Sequence, residues 1–371
     1  MTRLDSIRAE VLTIPFKVAF KHASAERKAM QSLWVEVRAA SATTGLGEGC
    51  PREYVTGESL ATALAFVAAH RDEWRVAITD VGSLGAWVGA NRGIIDANPA
   101  AWSAVELAVL DCLGKESGLT LERLLGLPAL TGRYRYSAVI GDGPTAAFEA
   151  QLAAYRKAGL RDFKIKLSGD RERDLAKVRA LAAAGIAPAA VRADANNLWS
   201  DAPAAIAHLS SLAFPFFAIE EPLKVGDYDG MREMGRALGA SIILDESALR
   251  EEQLPPLGGD AGQWIVNLRI SKMGGMLRSA QVARRAQGLG LRLVVGAHVG
   301  ETSVLTRAGL AIAELARDIV VAQEGAFGTH LLERDAVTPS LMFGAGGVLD
   351  LAAYGPFGAG LGLEKAPVPA V

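Results

Sequence analysis

Short apolar runs alternate with longer amphipathic stretches along most of the chain, from Tyr134 onward. The amphipathic stretches, such as Arg171–Ala184 and Met276–Leu289, predict helices, and apolar runs of this length are typical of buried parallel strands. Their alternation indicates βαβ units, and eight strands favour an α/β fold of the (β/α) barrel type over an open doubly wound sheet, the alternative. The predicted strands are Tyr136–Ile140, Phe163–Leu167, Ala190–Ala193, Phe216–Ile219, Ile242–Leu244, Trp264–Leu268, Leu291–Val295 and Ile319–Ala322.

The first part of the chain follows a different pattern. Trp34–Ala39 alternates apolar and polar residues, as a strand with one solvated face does. Gly45–Gly49 predicts a turn and Pro51–Gly57 a loop, and helical patterns cover about 58–75 and 101–117. The predicted units are an α+β domain over 1–125, the barrel over 126–335 and a C-terminal segment over 336–371 that returns to the first domain.

Composition and charge exclude several classes of function. Half of the 371 residues are hydrophobic, 22% are charged, and the net charge is −2 without a basic run, so neither a nucleic-acid partner nor a membrane partner is expected. Two cysteines give no disulfide framework and no cysteine-based zinc site. Because no apolar stretch has the length of a membrane span, we expect a cytoplasmic protein.

Polar side chains mark the ends of the predicted strands. From Lys166 onward, successive members of this set are separated by 24 to 29 residues, about the length of one strand, one helix and two loops. The C-terminal strand ends of a barrel meet at one mouth, where barrel enzymes carry their catalytic groups. The residues are Lys164 and Lys166, Asp194, Glu220, Asp245, Arg269, His298 and Glu324.

Three carboxylates, Asp194, Glu220 and Asp245, follow three successive predicted strands. Brought together, they would repel one another strongly unless a cation lay among them. An all-oxygen set of this kind suits a hard ion such as Mg²⁺. The alternative is that each carboxylate caps the next helix or pairs with a nearby lysine or arginine.

Two lysines, Lys164 and Lys166, flank Ile165 and therefore point to the same face of a strand. In a barrel that face is the interior, where a lysine is costly unless it has a purpose. Neighbouring ammonium groups lower each other's pKa, and a neutral lysine is a competent general base. The pattern predicts a metal that binds a substrate carboxylate, a lysine that removes the adjacent proton, and an electrostatically stabilised enediolate. Two solvated lysines on an edge strand are the alternative.

These residues lie in motifs that together resemble the enolase superfamily, specifically its muconate-lactonizing and mandelate-racemase-like members. The motifs are AVELAVLDCLGKESGLTLERLLG (Ala104–Gly126), KIK (Lys164–Lys166), DANN (Asp194–Asn197), IEEP (Ile219–Pro222) and LDES (Leu244–Ser247). The resemblance implies a modified TIM (β/α)7β barrel with an N-terminal α+β capping domain, and a homo-oligomer.

The resemblance also implies roles for individual residues. Asp194, Glu220 and Asp245 would be the Mg²⁺ ligands, Lys166 the base and Lys164 its electrostatic partner. Asn196, in the DANN motif, would contact the substrate.

The sixth predicted strand departs from the family pattern. In VNLRISKMGG, Arg269 occupies the position where racemases, epimerases and cycloisomerases of this group carry a lysine. Arginine does not deprotonate in proteins, so Arg269 would stabilise an oxyanion or clamp a second carboxylate. Strand alternation would point Lys272 to the opposite face.

The last two strands supply His298 and Glu324. His298, in VVGAHVGETS, stands where mandelate-racemase-like relatives keep a catalytic histidine, and it is either an acid or a structural residue. Glu324, in AQEGAFG, either contacts the substrate or tunes His298 or Arg269; the alternative is an ion pair with Arg269. Glu301 is expected at the start of the next helix.

Two loops of the capping domain, Val18–Ser24 and Pro51–Gly57, would close over the barrel mouth by the same resemblance. They carry Lys21, Arg52 and Tyr54 as candidate substrate contacts. Polar loops favour a small-molecule carboxylate with more than one polar group, such as an amino acid derivative, a hydroxy acid or a diacid.

Three classes of function stay open. The family favours an isomerase, that is a racemase, an epimerase or a cycloisomerase. One-base chemistry with Lys166 and an acid such as His298 favours a dehydratase. A non-catalytic ligand-binding barrel is disfavoured, because an unused buried pair of ammonium groups only destabilises a barrel.

Overall fold

The computed structural model describes residues 2–22 and 25–367. For residues 18–22 and 25–27 it describes the backbone alone. The chain begins with an antiparallel sheet of three strands in sequential order, followed by six helices. The strands are β1 (Leu4–His22), β2 (Ala25–Ala39) and β3 (Thr44–Gly49). The helices are α1 (Glu53–Thr56), α2 (Leu60–Ala77), α3 (Val81–Ala90), α4 (Arg92–Ala97), α5 (Pro99–Ser117) and α6 (Leu121–Leu125).

The segment Gly45–Gly49 is a strand, so the expectation of a turn was wrong. Its three glycines face α5, and a methyl group added at Gly47 would lie 2.0 Å from the carbonyl oxygen of Ala104. The glycines therefore allow the backbone of a helix to pack directly on the strand. Composition alone does not distinguish this use of glycine from a turn. The loop expected over Pro51–Gly57 also contains the short helix α1.

Parallel strands alternating with helices form the second part of the chain. Two short strands come first, β4 (Arg133–Arg135) and β5 (Ala138–Ile140). There follow α7 (Thr145–Lys157), β6 (Phe163–Lys166), α8 (Arg171–Ala183), β7 (Val191–Asp194), α9 (Ala202–Ser211), β8 (Ala218–Glu220), α10 (Tyr228–Leu238), β9 (Ser241–Leu244), β10 (Trp264–Leu268), α11 (Ile270–Met273), α12 (Met276–Leu289), β11 (Arg292–Val295), α13 (Ser303–Leu315) and β12 (Val320–Gln323).

Strands β5 to β12 form one parallel sheet in sequential order. The backbone N–H of Ser137, just before β5, donates to the carbonyl oxygen of Gln323 in β12 (2.8 Å), so the two edges of the curled sheet meet. This arrangement confirms the predicted α/β barrel, and every predicted strand lies within two residues of an observed one. After β9, short 3₁₀ turns replace the usual helix.

The C-terminal residues run back along the first helical region. Strand β13 (Val337–Thr338) pairs with β15 (Glu364–Lys365), and β14 (Val348–Asp350) pairs with β4. The backbone N–H of Leu361 donates to the Asp111 carboxylate in α5 (2.7 Å). The division of the chain at residues 125 and 335 stays a prediction. None of the described helices has the length and apolar character needed to cross a membrane.

Candidate active site

The polar residues expected at the strand ends do lie at one end of the barrel. Lys166 is in register with Asp194 on the neighbouring strand, and Asp194 is in register with Glu220 on the next. Asp245 and Arg269 follow β9 and β10 directly. Parallel pairing without register shifts from β6 to β9 therefore brings these side chains to the barrel mouth.

Lys164 is buried in the barrel interior among carboxylates. Its Nζ lies 2.7 Å from Glu220 Oε2, 3.2 Å from Glu324 Oε2 and 3.3 Å from Asp194 Oδ2. Burial alone would lower the pKa of this ammonium group, but the three carboxylates outweigh burial and hold it well above its ordinary value. The expected lowering of its pKa by a second lysine was therefore wrong, because carboxylates lie closer. Lys164 is a fixed cation.

Lys166 lies nearer the mouth, with 18% of its side chain exposed. Its Nζ is 3.0 Å from Asp194 Oδ2 and also donates to the side-chain oxygen of Asn196. Asn196 and Asn197 both have positive φ (45° and 59°), a conformation that asparagine tolerates better than most residues. The turn after β7 thus places an amide oxygen against the lysine that the sequence predicted as the base.

Each predicted metal ligand is paired with a cation of the chain. Burial would raise the pKa of Asp194, but Lys166 and Lys164 lower it, and Arg269 and Lys272 likewise outweigh burial and lower the pKa of Asp245 to about 2. Glu220 differs: burial, with Asp194 and Glu324 close by, raises its pKa to about 7 despite Lys164. Burial is the largest cause of this shift, and repulsion by the neighbouring carboxylates adds to it.

Arg269 spans two of these carboxylates. Its Nη2 forms an ion pair with Asp245 Oδ2 and lies 3.7 Å from Glu220 Oε1. Lys272 also reaches the site: its Nζ donates to Asp245 Oδ1 (2.8 Å) and to the backbone oxygens of Asp245 and Asn267. The expectation that Lys272 faces away was wrong, because β10 ends at Leu268 and the chain turns into the short helix α11.

The donor set fits a magnesium ion. It is made of three carboxylates that end or follow adjacent strands, and a divalent cation among them would relieve the repulsion of Glu220 by Asp194 and Asp245. Within the described part of the chain these carboxylates do not each bring an oxygen within 4.8 Å of the other two. Binding an ion would therefore require them to draw together and Arg269 to move off Asp245.

His298 and Glu301 lie in the loop after β11. Glu301 Oε1 accepts the backbone N–H of His298 (2.6 Å) and lies 3.1 Å from Nδ1 of the same residue. Burial, helped by the charges of Arg269 and Arg52, holds the pKa of His298 well below its ordinary value. Burial also raises the pKa of Glu301 to about 8, more than its backbone hydrogen bond lowers it. His298 is therefore a neutral imidazole beside the mouth.

Glu324 directly follows β12 and contacts the inner of the two lysines, Lys164. It forms ion pairs with Lys164 (3.2 Å) and with Arg192 (3.5 Å), a buried side chain of β7. The direct ion pair with Arg269, one of the two roles considered for Glu324, is not among these contacts. Its role as a substrate contact stays a prediction.

Of the three predicted substrate contacts of the capping domain, Arg52, Tyr54 and Lys21, the first two differ in their surroundings. Arg52 is buried, and it donates to the backbone oxygens of Gln31 (3.2 Å), Pro51 (2.8 Å) and Val299 (3.4 Å), so it ties the capping domain to the loop that carries His298. Tyr54, on α1, is 61% exposed. The side chain of Lys21 lies outside the described side chains.

Some residues that support the site were not predicted. Asn267 donates its amide to Glu220 Oε1 (3.0 Å). Glu221 accepts the backbone N–H groups of Asp245 (2.9 Å) and Ser247 (2.6 Å), and it does so with a positive φ of 37°. A second acid directly after a strand-end acid, as in IEEP, was a usable signal. Asn267 lies inside an apolar run, and no sequence signal distinguished it from the other residues of a buried strand.

Comparisons with known proteins identify the family of the chain. A family model described as "Enolase C-terminal domain-like" matches residues 147–367. The "L-Lys-D/L-Arg epimerase" of Methylococcus capsulatus is 30% identical over 77% of this chain and 78% of its own length. The "Hydrophobic dipeptide epimerase" of Enterococcus faecalis is 25% identical over 98% and 99%. A crystal structure of a dipeptide epimerase from Methylococcus capsulatus, complexed with Mg and the dipeptide L-Arg-D-Lys, superposes with a TM-score of 0.81 at 27% identity and covers 97% of this chain and 99% of that one.

Proposed function

The chain belongs to the enolase superfamily, and we propose from this membership that it is a Mg²⁺-dependent epimerase that inverts the α-carbon of a dipeptide or a related amino acid derivative. The family model and the relatives confirm the predicted resemblance to this superfamily and the predicted isomerase class. The metal, the substrate class and the residue roles are the proposed part.

Lys166 is the base in this proposal. It is the lysine at the mouth, and Asp194 and Asn196 hold its Nζ from two sides. Lys164 is fully engaged by three carboxylates and therefore supplies fixed positive charge. The unequal surroundings of these two lysines are the observation that carries the assignment, because only the accessible one can reach an α-proton.

Asp194, Glu220 and Asp245 would hold the magnesium ion. When bound, the ion would act as a Lewis acid toward the substrate carboxylate and make its α-proton more acidic. Glu221 orients this set, because it fixes the backbone of Asp245 and of Ser247. Arg269, released from Asp245, would stabilise negative charge on the deprotonated substrate or bind a second carboxylate.

Inversion requires a proton donor on the face opposite Lys166. Arg269 does not deprotonate, so it cannot replace the missing lysine of the sixth strand. We assign the role to His298, whose Nε2 is buried and has no hydrogen-bond partner among the described residues. In one direction its neutral imidazole would remove the α-proton of one epimer while the Lys166 ammonium protonates the opposite face. In the reverse direction neutral Lys166 would remove the α-proton and the imidazolium of His298 would return its proton. Glu301 positions the ring through Nδ1.

The relatives suggest where to look for the substrate. The relatives include dipeptide epimerases. A dipeptide has an α-carbon next to a free carboxylate, so the proposed metal would bind the carboxylate while Lys166 removes the α-proton. A homo-oligomer stays a prediction.

Deuterium exchange tests the proposal. Dipeptides and N-acyl amino acids are incubated in D₂O with Mg²⁺ or with EDTA, and NMR follows loss of the α-proton and appearance of the second diastereomer. We expect exchange and inversion in the wild type with Mg²⁺, and neither with EDTA. Lys166→Met should lose inversion and should lose exchange of the epimer that Lys166 deprotonates, while His298 still exchanges the other epimer. Lys224→Met removes an exposed lysine on the loop after β8 and serves as the matched control, with exchange retained. Inversion that persists in Lys166→Met contradicts the assignment of the base.

A dehydratase is the second candidate, because Arg269 leaves one accessible lysine in the site. The same experiment separates the two reactions. Loss of water from a β-hydroxy acid, without inversion of any dipeptide, would replace the epimerase by a lyase.

A further inference from the structure

A cluster of three metal-binding side chains lies beside the proposed active site and outside its magnesium ligands. Cys50 directly follows β3 of the capping domain, and His298 and Glu301 come from the loop after β11. The thiol sulfur, a ring nitrogen and a carboxylate oxygen all lie within 4.8 Å of one another. Residues 248 positions apart in sequence thus converge at the contact between the capping domain and the barrel.

The geometry points to a second metal site, formed by Cys50, His298 and Glu301, that binds a borderline-soft divalent ion of the zinc or cobalt class. Thiolate, imidazole and carboxylate are the ligands that Zn²⁺ takes in proteins, and three protein ligands leave a fourth position for water. Mg²⁺ prefers oxygen ligands and would not compete well for the sulfur. The two sites therefore differ in the ion they select.

The surroundings of these three groups support the site. Cys50 and His298 are 2% and 5% exposed, and Nε2 of His298 has no hydrogen-bond partner among the described residues. A buried polar atom without a partner is costly, and an ion bound through Nε2 would supply the missing contact. The backbone N–H of Cys50 donates to Ser271 Oγ (2.8 Å), which fixes the backbone of Cys50 against helix α11.

Charge balance is compatible with a divalent ion. Arg52 and Arg269 act electrostatically on His298 and would oppose a cation. A Cys50 thiolate and the Glu301 carboxylate together offset the two positive charges of the ion. Burial raises the pKa of the Cys50 thiol and of the Glu301 carboxyl, so the metal-free form carries a proton on each, and binding of the ion releases both protons to the buffer.

An ion in this site would have two consequences. It would link the capping domain to the barrel, because Cys50 comes from one and His298 from the other. It would also occupy a ring nitrogen of His298, so a zinc-loaded chain could not use that nitrogen for proton transfer. The proposed site goes beyond the epimerase function and does not require it.

Cobalt absorption spectroscopy tests the site. The full chain, stripped of metal and kept reduced, is titrated with Co²⁺ in the presence of excess Mg²⁺. We expect one equivalent of Co²⁺ to produce a thiolate-to-cobalt charge-transfer band in the near ultraviolet, which oxygen ligands at the magnesium site cannot give. Cys50→Ser should lose the band, and Cys112→Ser, the matched control at the only other cysteine, should keep it.

Further variants keep the test decisive if Cys50→Ser is unstable. Glu301→Gln should weaken Co²⁺ binding by at least ~10-fold. Asp245→Asn should leave the charge-transfer band unchanged, so failure of the magnesium site and failure of this site give different results. A wild-type chain that shows no charge-transfer band, or a band that survives in Cys50→Ser, overturns the proposal.

Discussion

Arg269 should weaken magnesium binding, because it already occupies two of the proposed ligands. Its guanidinium is paired with Asp245 and lies 3.7 Å from Glu220. At an effective dielectric constant of about 20, one charge pair at that separation amounts to roughly 4 kcal/mol. Hydration of the released guanidinium recovers part of this energy. We expect a net penalty of about 1.4 to 2.8 kcal/mol on metal binding, which is roughly ten- to a hundredfold in affinity.

The variant Arg269→Met removes the charge and keeps much of the apolar side chain. We expect it to bind Mg²⁺ about ten to a hundred times more tightly than the wild type, measured by isothermal titration calorimetry without substrate. Its metal-free form should be less stable, because Glu220 and Asp245 lose a counter-charge, and Mg²⁺ should therefore raise its Tm more than that of the wild type.

Arg171→Met is the control, since Arg171 is an exposed arginine on the outer helix α8, with 54% of its side chain accessible. Its Mg²⁺ affinity should equal that of the wild type. Equal or weaker Mg²⁺ binding by Arg269→Met would refute the competition between the guanidinium and the ion.

Three further predictions concern stability. Burial raises the pKa of Glu106 to about 7. The contribution of Glu106 to the free energy of unfolding is therefore fully present below about pH 4.5 and is lost as the pH rises to 7. Glu106→Gln should remove about 3 kcal/mol of this pH dependence, measured by urea unfolding across this range. Gly47→Ala should cost about 2 to 3 kcal/mol in the same assay, because its methyl group would meet the Ala104 carbonyl oxygen, whereas Gly85→Ala, with open space inside α3, should not destabilise. Glu122→Gln should lower stability by roughly 3 to 5 kcal/mol, because it breaks a buried two-bond pair with Arg307 (2.6 and 2.8 Å); a loss below 1 kcal/mol would contradict the burial of that pair.

The strand ends were predictable from the sequence because a parallel barrel repeats one local arrangement. Spacings of 24 to 29 residues placed Lys166, Asp194, Glu220 and Asp245 correctly, since each depends only on where its own strand ends. The cluster of Cys50 with His298 was not predictable, because it depends on how the capping domain docks on the barrel. Lys272 was placed on the wrong face for a related reason: strand alternation was extended past Leu268, where the chain already turns into a helix.

The polar interior of the barrel is the feature that the hydrophobic pattern concealed. Arg192 lies inside a run that reads as an apolar strand, yet it is buried and donates to Ser137 Oγ (2.7 Å) beside Glu324. Lys164 then joins Glu324 to Glu220, and Arg269 joins Glu220 to Asp245. Because such groups are buried, the charge of each is stabilised by the others. A change at Arg269 therefore acts on the proposed metal ligands directly and on Lys164 through Glu220, so the residue that breaks the family's lysine pattern is also the one that sets the charge balance of the site.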